Sequence, residues 1–185
     1  YNKLENKKTV LFAPSWNYNK KNLLNEYGIY ILDFLIKKKF QVIFRPHNEH
    51  YKRSKKTINK IINKYNNLSK FHFDKEMSNI NSLKQSEILI TDNSTIGMEF
   101  SLTFYKPTIY FDYTEKVHNP NFKELNIEPL EDIFKRQIGY SLNVNNLEEI
   151  DDIYRNFLSN QIDLKNKCEK FKKTYLANIG NSTTI

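Results

Sequence analysis

Between residues 9 and 144, short apolar runs stopped by a proline or a polar turn alternate with stretches of helical spacing. The first run, Thr-Val-Leu-Phe-Ala at 9–13, is apolar and partly β-branched, and Pro14 ends it because proline has no N–H for a central ladder. Further runs at 41–44, 70–73, 87–91, 107–111 and 140–144 predict five more strands. Tyr27, Tyr30, Ile31, Phe34 and Leu35 recur at three- and four-residue steps and predict a helix over 26–38. Ile58, Ile61, Ile62 and Tyr65 do the same over 51–65, with lysines opposite, and a short helix over 77–84 turns Ile80 and Leu83 inward. Helices are also predicted over 96–104, with Met98, Phe100 and Leu102 for packing, and over 130–137. Two terminal helices carry Leu147, Ile150, Ile153, Tyr154 and Phe157, then Leu164, Cys168, Phe171 and Tyr175. Crossover connections of this kind put helices on the faces of a parallel sheet, so the expected fold is a Rossmann-like α/β domain. No repeat or long Gly, Ser or Pro linker divides it, and residues 1–185 read as one domain.

Composition removes several alternatives. Hydrophobic residues make up 39% and aromatics 14%, too much apolar surface for a disordered chain. No apolar run approaches the ~20 residues that span a bilayer. Cys168 is the single cysteine, which excludes an internal disulfide and a cysteine-rich zinc site, and its place on an apolar stripe predicts burial. His47, His50, His72 and His118 lack metal-ligand spacing, so no metal or other cofactor is expected. The net charge is +8, yet 25 of the 29 basic residues are lysine, whereas readers of bases and phosphates favour the arginine fork. Nucleic acid is therefore not the expected partner. Residues 1–75 hold 17 basic and 5 acidic side chains, net +12, and residues 76–185 hold 12 and 16, net −4. The basic half suits phosphates or an anionic membrane surface, and equally a solvated lysine face. With no initiator Met, signal or transit sequence, Tyr1 reads as the cut end of a longer protein with a partner domain.

In doubly wound sheets ligands bind beyond the carboxyl ends of the strands. Three such ends stand out: Ala13-Pro14-Ser15-Trp16, Arg45-Pro46-His47 and Thr91-Asp92-Asn93-Ser94-Thr95. In the last, Ser94 or Thr95 stands where a helix begins and free N–H groups favour an anion, although either side chain equally suits a plain helix cap. Gly97 leaves room there for close approach of a ligand. Arg45 and His47 bring a permanent cation and a titratable imidazole after the second strand, as phosphate donors, acid or base, or as an ordinary surface loop. Glu99 suits a ribose diol or a helix ion pair. No G-x-G-x-x-G, P-loop or G-x-S-x-G occurs, which weighs against dinucleotide dehydrogenases, P-loop kinases and common α/β hydrolases.

The ordered set Val10-Leu11-Phe12-Ala13-Pro14-Ser15-Trp16, Arg45-Pro46-His47, Ile88-Leu89-Ile90-Thr91-Asp92-Asn93-Ser94-Thr95 and Lys106-Pro107-Thr108-Ile109-Tyr110 resembles the CDP-glycerol glycerophosphotransferases of teichoic-acid synthesis. The resemblance runs from about Lys8 to Gly180 and implies the C-terminal, donor-binding half of a GT-B glycosyltransferase fold. It implies that His47 is catalytic beside the donor phosphates, that Thr91, Asp92, Ser94 and Thr95 build the pyrophosphate site, and that Ser15 lies at the cleft opening. CDP-glycerol or another nucleotide-activated donor, a cell-surface polymer acceptor and an N-terminal GT-B half are the implied partners. The implied location is the cytoplasm, with peripheral contact at the inner face of the cell membrane. The family's Trp-His-Gly-Thr-Pro stretch is absent from this chain, and Asp92-Asn93-Ser94-Thr95 and Glu99 stand where the family often has Asp-Tyr-Ser-Ser and Asp. A nucleotide-sugar transferase or epimerase-like enzyme, and a noncatalytic module that holds an anionic polymer or membrane, remain the alternatives.

Overall fold

The computed structural model describes residues 8–18, 21–76, 80–113, 121–177 and 179. Six strands, β1 (Thr9–Phe12), β2 (Gln41–Phe44), β3 (Phe71–Phe73), β4 (Ile88–Thr91), β5 (Thr108–Phe111) and β6 (Tyr140–Leu142), form one sheet in the order β3-β2-β1-β4-β5-β6. Every pairing is parallel, with Val10 opposite Val42 on one side and Ile88 on the other. The strand order reverses between β1 and β4, which makes the gap beyond their carboxyl ends the switch point of the sheet.

Among the described residues there are eight α-helices: α1 (Leu23–Lys37), α2 (Asn48–Arg53), α3 (Lys55–Tyr65), α4 (Ile80–Gln85), α5 (Ile96–Phe104), α6 (Leu130–Gln137), α7 (Glu149–Ser159) and α8 (Gln161–Tyr175). A 3-10 turn at Phe122–Leu125 has no counterpart in the predicted elements. Strand periodicity divides the apolar residues. Val10, Phe12, Val42, Phe44, Ile88 and Ile90 join a large core with Leu24, Ile31 and Leu35 of α1, Ile61 of α3 and Ile150 of α7. Leu11, Ala13, Ile43 and Leu89 form a smaller core with Phe100, against which Leu83, Ile96 and Phe104 pack. Both faces are covered, as the apolar strands required.

Three helices depart from their predicted form. α1 starts at Leu23, and its buried stripe is Leu24, Gly28, Ile31 and Leu35, which leaves Tyr30 51% exposed. The helix predicted over 51–65 is two, because Ser54, at φ −119° and ψ 30°, ends α2 and opens α3 while its hydroxyl bonds His50 Nδ1 at 3.1 Å. In α4 the buried position is Ser82, and Ile80 is turned outward; residues 77–79 of the predicted helix lie outside the described residues. Ser82 donates to Asp74, a polar anchor that an apolar-periodicity argument overlooks. Cys168 is fully buried on α8, its Sγ 3.5 Å from the Ser101 carbonyl oxygen, and burial pushes its thiol up to about 11.

Candidate functional site

The three strand ends meet at the switch point. The Ala13 N–H donates to the Ile90 carbonyl (2.9 Å) and Thr91 Oγ1 to the Ala13 carbonyl (2.7 Å), tying β1 to β4. The Arg45 N–H donates to Phe12 (3.0 Å) and the His47 N–H to Pro14 (3.2 Å), tying the same segment to the end of β2. One residue further, the Ser15 N–H donates to Asp92 Oδ1 at 2.6 Å. Proline serves this junction twice: Pro14 and Pro46 stop the ladders with no wasted N–H, and the freed backbone turns across the strand ends.

Inside the junction Ser15 is 3% exposed, and its hydroxyl has no hydrogen-bond partner; the buried indole N–H of Trp16 has none either. Buried polar atoms are paired in the great majority of cases, which makes these two neighbouring orphans at the strand switch an exception. The turn after β4 leads into α5, whose Thr95 makes no side-chain capping bond. Ser94 is half-buried and Thr95 exposed, so both hydroxyls stand at a helix start that favours an anion. Glu99 is exposed in the first turn of α5.

His47 caps α2. Its Nδ1 accepts the Glu49 N–H at 3.2 Å, which assigns the proton of the neutral ring to Nε2. The Arg45 guanidinium, in a residue 8% exposed, donates to Ser82 Oγ (3.3 Å), and Ser82 donates in turn to Asp74. That contact runs toward β3 and α4, on the far side of β2 from the β4 turn. Gly97 has a role other than the one its sequence position suggested. A Cβ there would fall 2.3 Å from the Tyr110 hydroxyl and 2.6 Å from Thr108 Cγ2, so the glycine lets α5 lie on β5 and leaves no space for a ligand.

Two residues of this region carried no signal in the sequence. His50 is fully buried beneath the junction, bonded through Nε2 to the Ser15 carbonyl (2.9 Å) and stacked edge-on against Trp16 with centroids 5.0 Å apart. Burial pushes its imidazole down to about 4, so the ring is neutral at physiological pH. Lys135 reaches from α6 to Asn93 Oδ1 (2.7 Å) and to Asp112 (3.7 Å), across the Tyr110 ring. It reads in the sequence as one more surface lysine of an amphipathic helix. Among the described residues no group of three His, Cys, Asp or Glu side chains is arranged to hold a metal ion.

The family model for CDP-glycerol:poly(glycerophosphate) glycerophosphotransferases matches residues 1–173. The chain belongs to this family. No curated protein matches it. Among solved structures it resembles the wall teichoic acid polymerase TagF at 20% identity and a TM-score of 0.56, covering 90% of this chain and 38% of that one. TarM is similar at 14% identity and a TM-score of 0.51, covering 90% of this chain and 31% of that one. The C-terminal CMP-Kdo binding domain of WaaA from Acinetobacter baumannii is matched at 12% identity and a TM-score of 0.51, with 90% of each chain covered. The chain thus spans less than two fifths of TagF and TarM. The fold that the chain shares with these structures is the Rossmann-like parallel sheet with helices on both faces.

Proposed function

We propose that this unit binds the nucleotide-activated donor of a transferase that moves glycerol phosphate from CDP-glycerol to a cell-surface polymer. The observation that carries the reading is the Ser15 hydroxyl, buried and without a protein partner at the β1/β4 switch, in a residue whose N–H is bonded to Asp92, four residues before α5 begins at Ile96. A pyrophosphate supplies the acceptor oxygens that this hydroxyl lacks, beside a helix start whose dipole favours an anion. Thr91 and Asp92 hold the two strand ends in register, and Ser94 and Thr95 present hydroxyls to the phosphates.

In the reaction proposed, an acceptor hydroxyl oxygen attacks the β-phosphorus, the bond from that phosphorus to the bridging oxygen breaks, CMP leaves, and the hydroxyl proton is released. Charge accumulates on the phosphoryl oxygens, and preorganised N–H and O–H donors stabilise it. His47 suits a donor role, since its Nδ1 is occupied as the α2 cap and its proton sits on Nε2. The Arg45 guanidinium, which bonds Ser82 of α4, joins the site in this reading only through its place beside His47 at the end of β2. The acceptor, the second GT-B half and any peripheral membrane contact belong to the whole enzyme in this reading. No helix among the described residues is long and apolar enough to cross a membrane.

Calorimetric titration with CDP-glycerol, CMP, a UDP-sugar and polyphosphate tests the proposal. Selective binding of the cytidine nucleotides is expected; Ser94→Ala weakens it about tenfold with an unchanged melting temperature, and His47→Ala weakens it about tenfold while also losing the α2 cap, at a cost of about 1 kcal/mol in stability. Equal affinity in both variants would remove the assigned site. Glu99, exposed one turn into α5 where a carboxylate reaches a ribose diol, keeps a nucleotide-sugar donor as the second reading, and tighter binding of the UDP-sugar would select it.

A further inference from the structure

We infer that His50 is a positioning residue, which clamps the Ser15 peptide so that the Ser15 hydroxyl and the Trp16 indole N–H stay available to the donor. The inference rests on the donor-site reading above and adds to it a residue that does not touch the donor.

The Ser15 peptide is held from both sides. Its N–H donates to Asp92 of the β4 turn at 2.6 Å, and its carbonyl accepts from His50 Nε2 at 2.9 Å. A carbonyl only accepts, so Nε2 carries the hydrogen, and Nδ1 is left to accept from the Ser54 hydroxyl at 3.1 Å. Both ring nitrogens are thereby used, and the edge-on contact with Trp16 fixes the ring plane. The Ser15 backbone is thus bonded at both its N–H and its carbonyl, while the side-chain donors of Ser15 and Trp16 are buried with no partner in the protein. A loop built for stability alone would pair those two atoms as well, because each unpaired buried donor is costly. Rigid backbone combined with unpaired side-chain donors is the arrangement of a preorganised oxygen-binding site.

Three variants separate positioning from plain support. His50→Ala removes the clamp, His50→Gln keeps an N–H at the reach of Nε2, and Ser54→Ala removes only the bond on the other ring nitrogen. Where His50→Ala does not fold, His50→Leu keeps much of the buried volume without an N–H. Amide exchange at Ser15 reads the clamp with no ligand present, and calorimetry with CMP reads the site. The clamp-removing variant should speed Ser15 exchange and lower CMP affinity about tenfold. His50→Gln and Ser54→Ala should stay within about threefold of the parent in affinity, even where Ser54→Ala lowers the melting temperature. Unchanged CMP affinity or unchanged Ser15 exchange on loss of the His50 N–H overturns the inference, as does an equal affinity loss in Ser54→Ala. Absence of CMP binding by the parent chain itself overturns the donor-site reading, and this inference with it, and is told apart because it appears before any substitution.

Discussion

Single atoms decide much of this domain. A methyl group at position 97 has no room, so Gly97→Ala should cost about 2–3 kcal/mol by overpacking, and Tyr110→Phe should recover part of it by removing the nearest atom; thermal unfolding of the single and double variants measures both. His50 sets an acid limit on stability. Its folded-state value of about 4 lies below the ordinary 6.5, so the unfolded chain takes up a proton first as pH falls. The contribution is therefore intact above about pH 6.5, declines between 6.5 and 4, and totals at most about 3 kcal/mol. Stability measured against pH should fall less steeply over that window in His50→Gln than in the parent. Most of the proposed site was legible in the sequence, because Ser15, His47 and the residues 91–95 all follow runs that read as strands. His50 was not legible, since a histidine three residues after another shows nothing of the carbonyl above it. Gly97 was misread for a related reason: a missing side chain signals close approach without saying by what.

Elements were recovered to within a few residues wherever an apolar period stood alone, as in β2, α5 and α6. They were lost where a polar atom decided the outcome. The break at Ser54 follows from a hydroxyl committed to His50, and the outward turn of Ile80 from a serine committed to Asp74. Neither commitment has a periodicity. α6 shows the same rule at the site, for Lys135 fastens this helix to the β4–α5 turn through Asn93 and to the end of β5 through Asp112. Lys135→Met keeps the cover over Tyr110 and removes both polar links. It should lower stability by about 1 kcal/mol and CMP affinity by several-fold, as read by unfolding and titration together. Loss of stability with full affinity would confine Lys135 to holding α6.

The molecule as a whole is electrically lopsided, and the sheet explains where the boundary falls. The residues of net +12 contain β1 to β3 and those of net −4 contain β4 to β6, so the two halves meet along the β1/β4 seam where the switch point lies. Attraction by the basic half is screened by salt, whereas contacts inside a junction with buried donors are screened much less. Raising the salt from 0.05 to about 0.5 M should therefore reduce polyphosphate binding far more than CMP binding, in titrations run side by side. Equal losses would reduce the domain to a charged surface. The seam has another consequence, for biosynthesis. β1 is central in the finished sheet yet is synthesised before the other five strands described, and its β4 partner follows 78 residues later, Val10 opposite Ile88. Once β2 has paired with β1, the nascent chain carries an open strand edge flanked by Val10, Leu11 and Phe12, the kind of edge on which chains associate wrongly. Fusion of a solubilising partner ahead of residue 1, or faster translation through residues 75–91, which shortens that interval, is thus the intervention expected to raise the yield of folded protein.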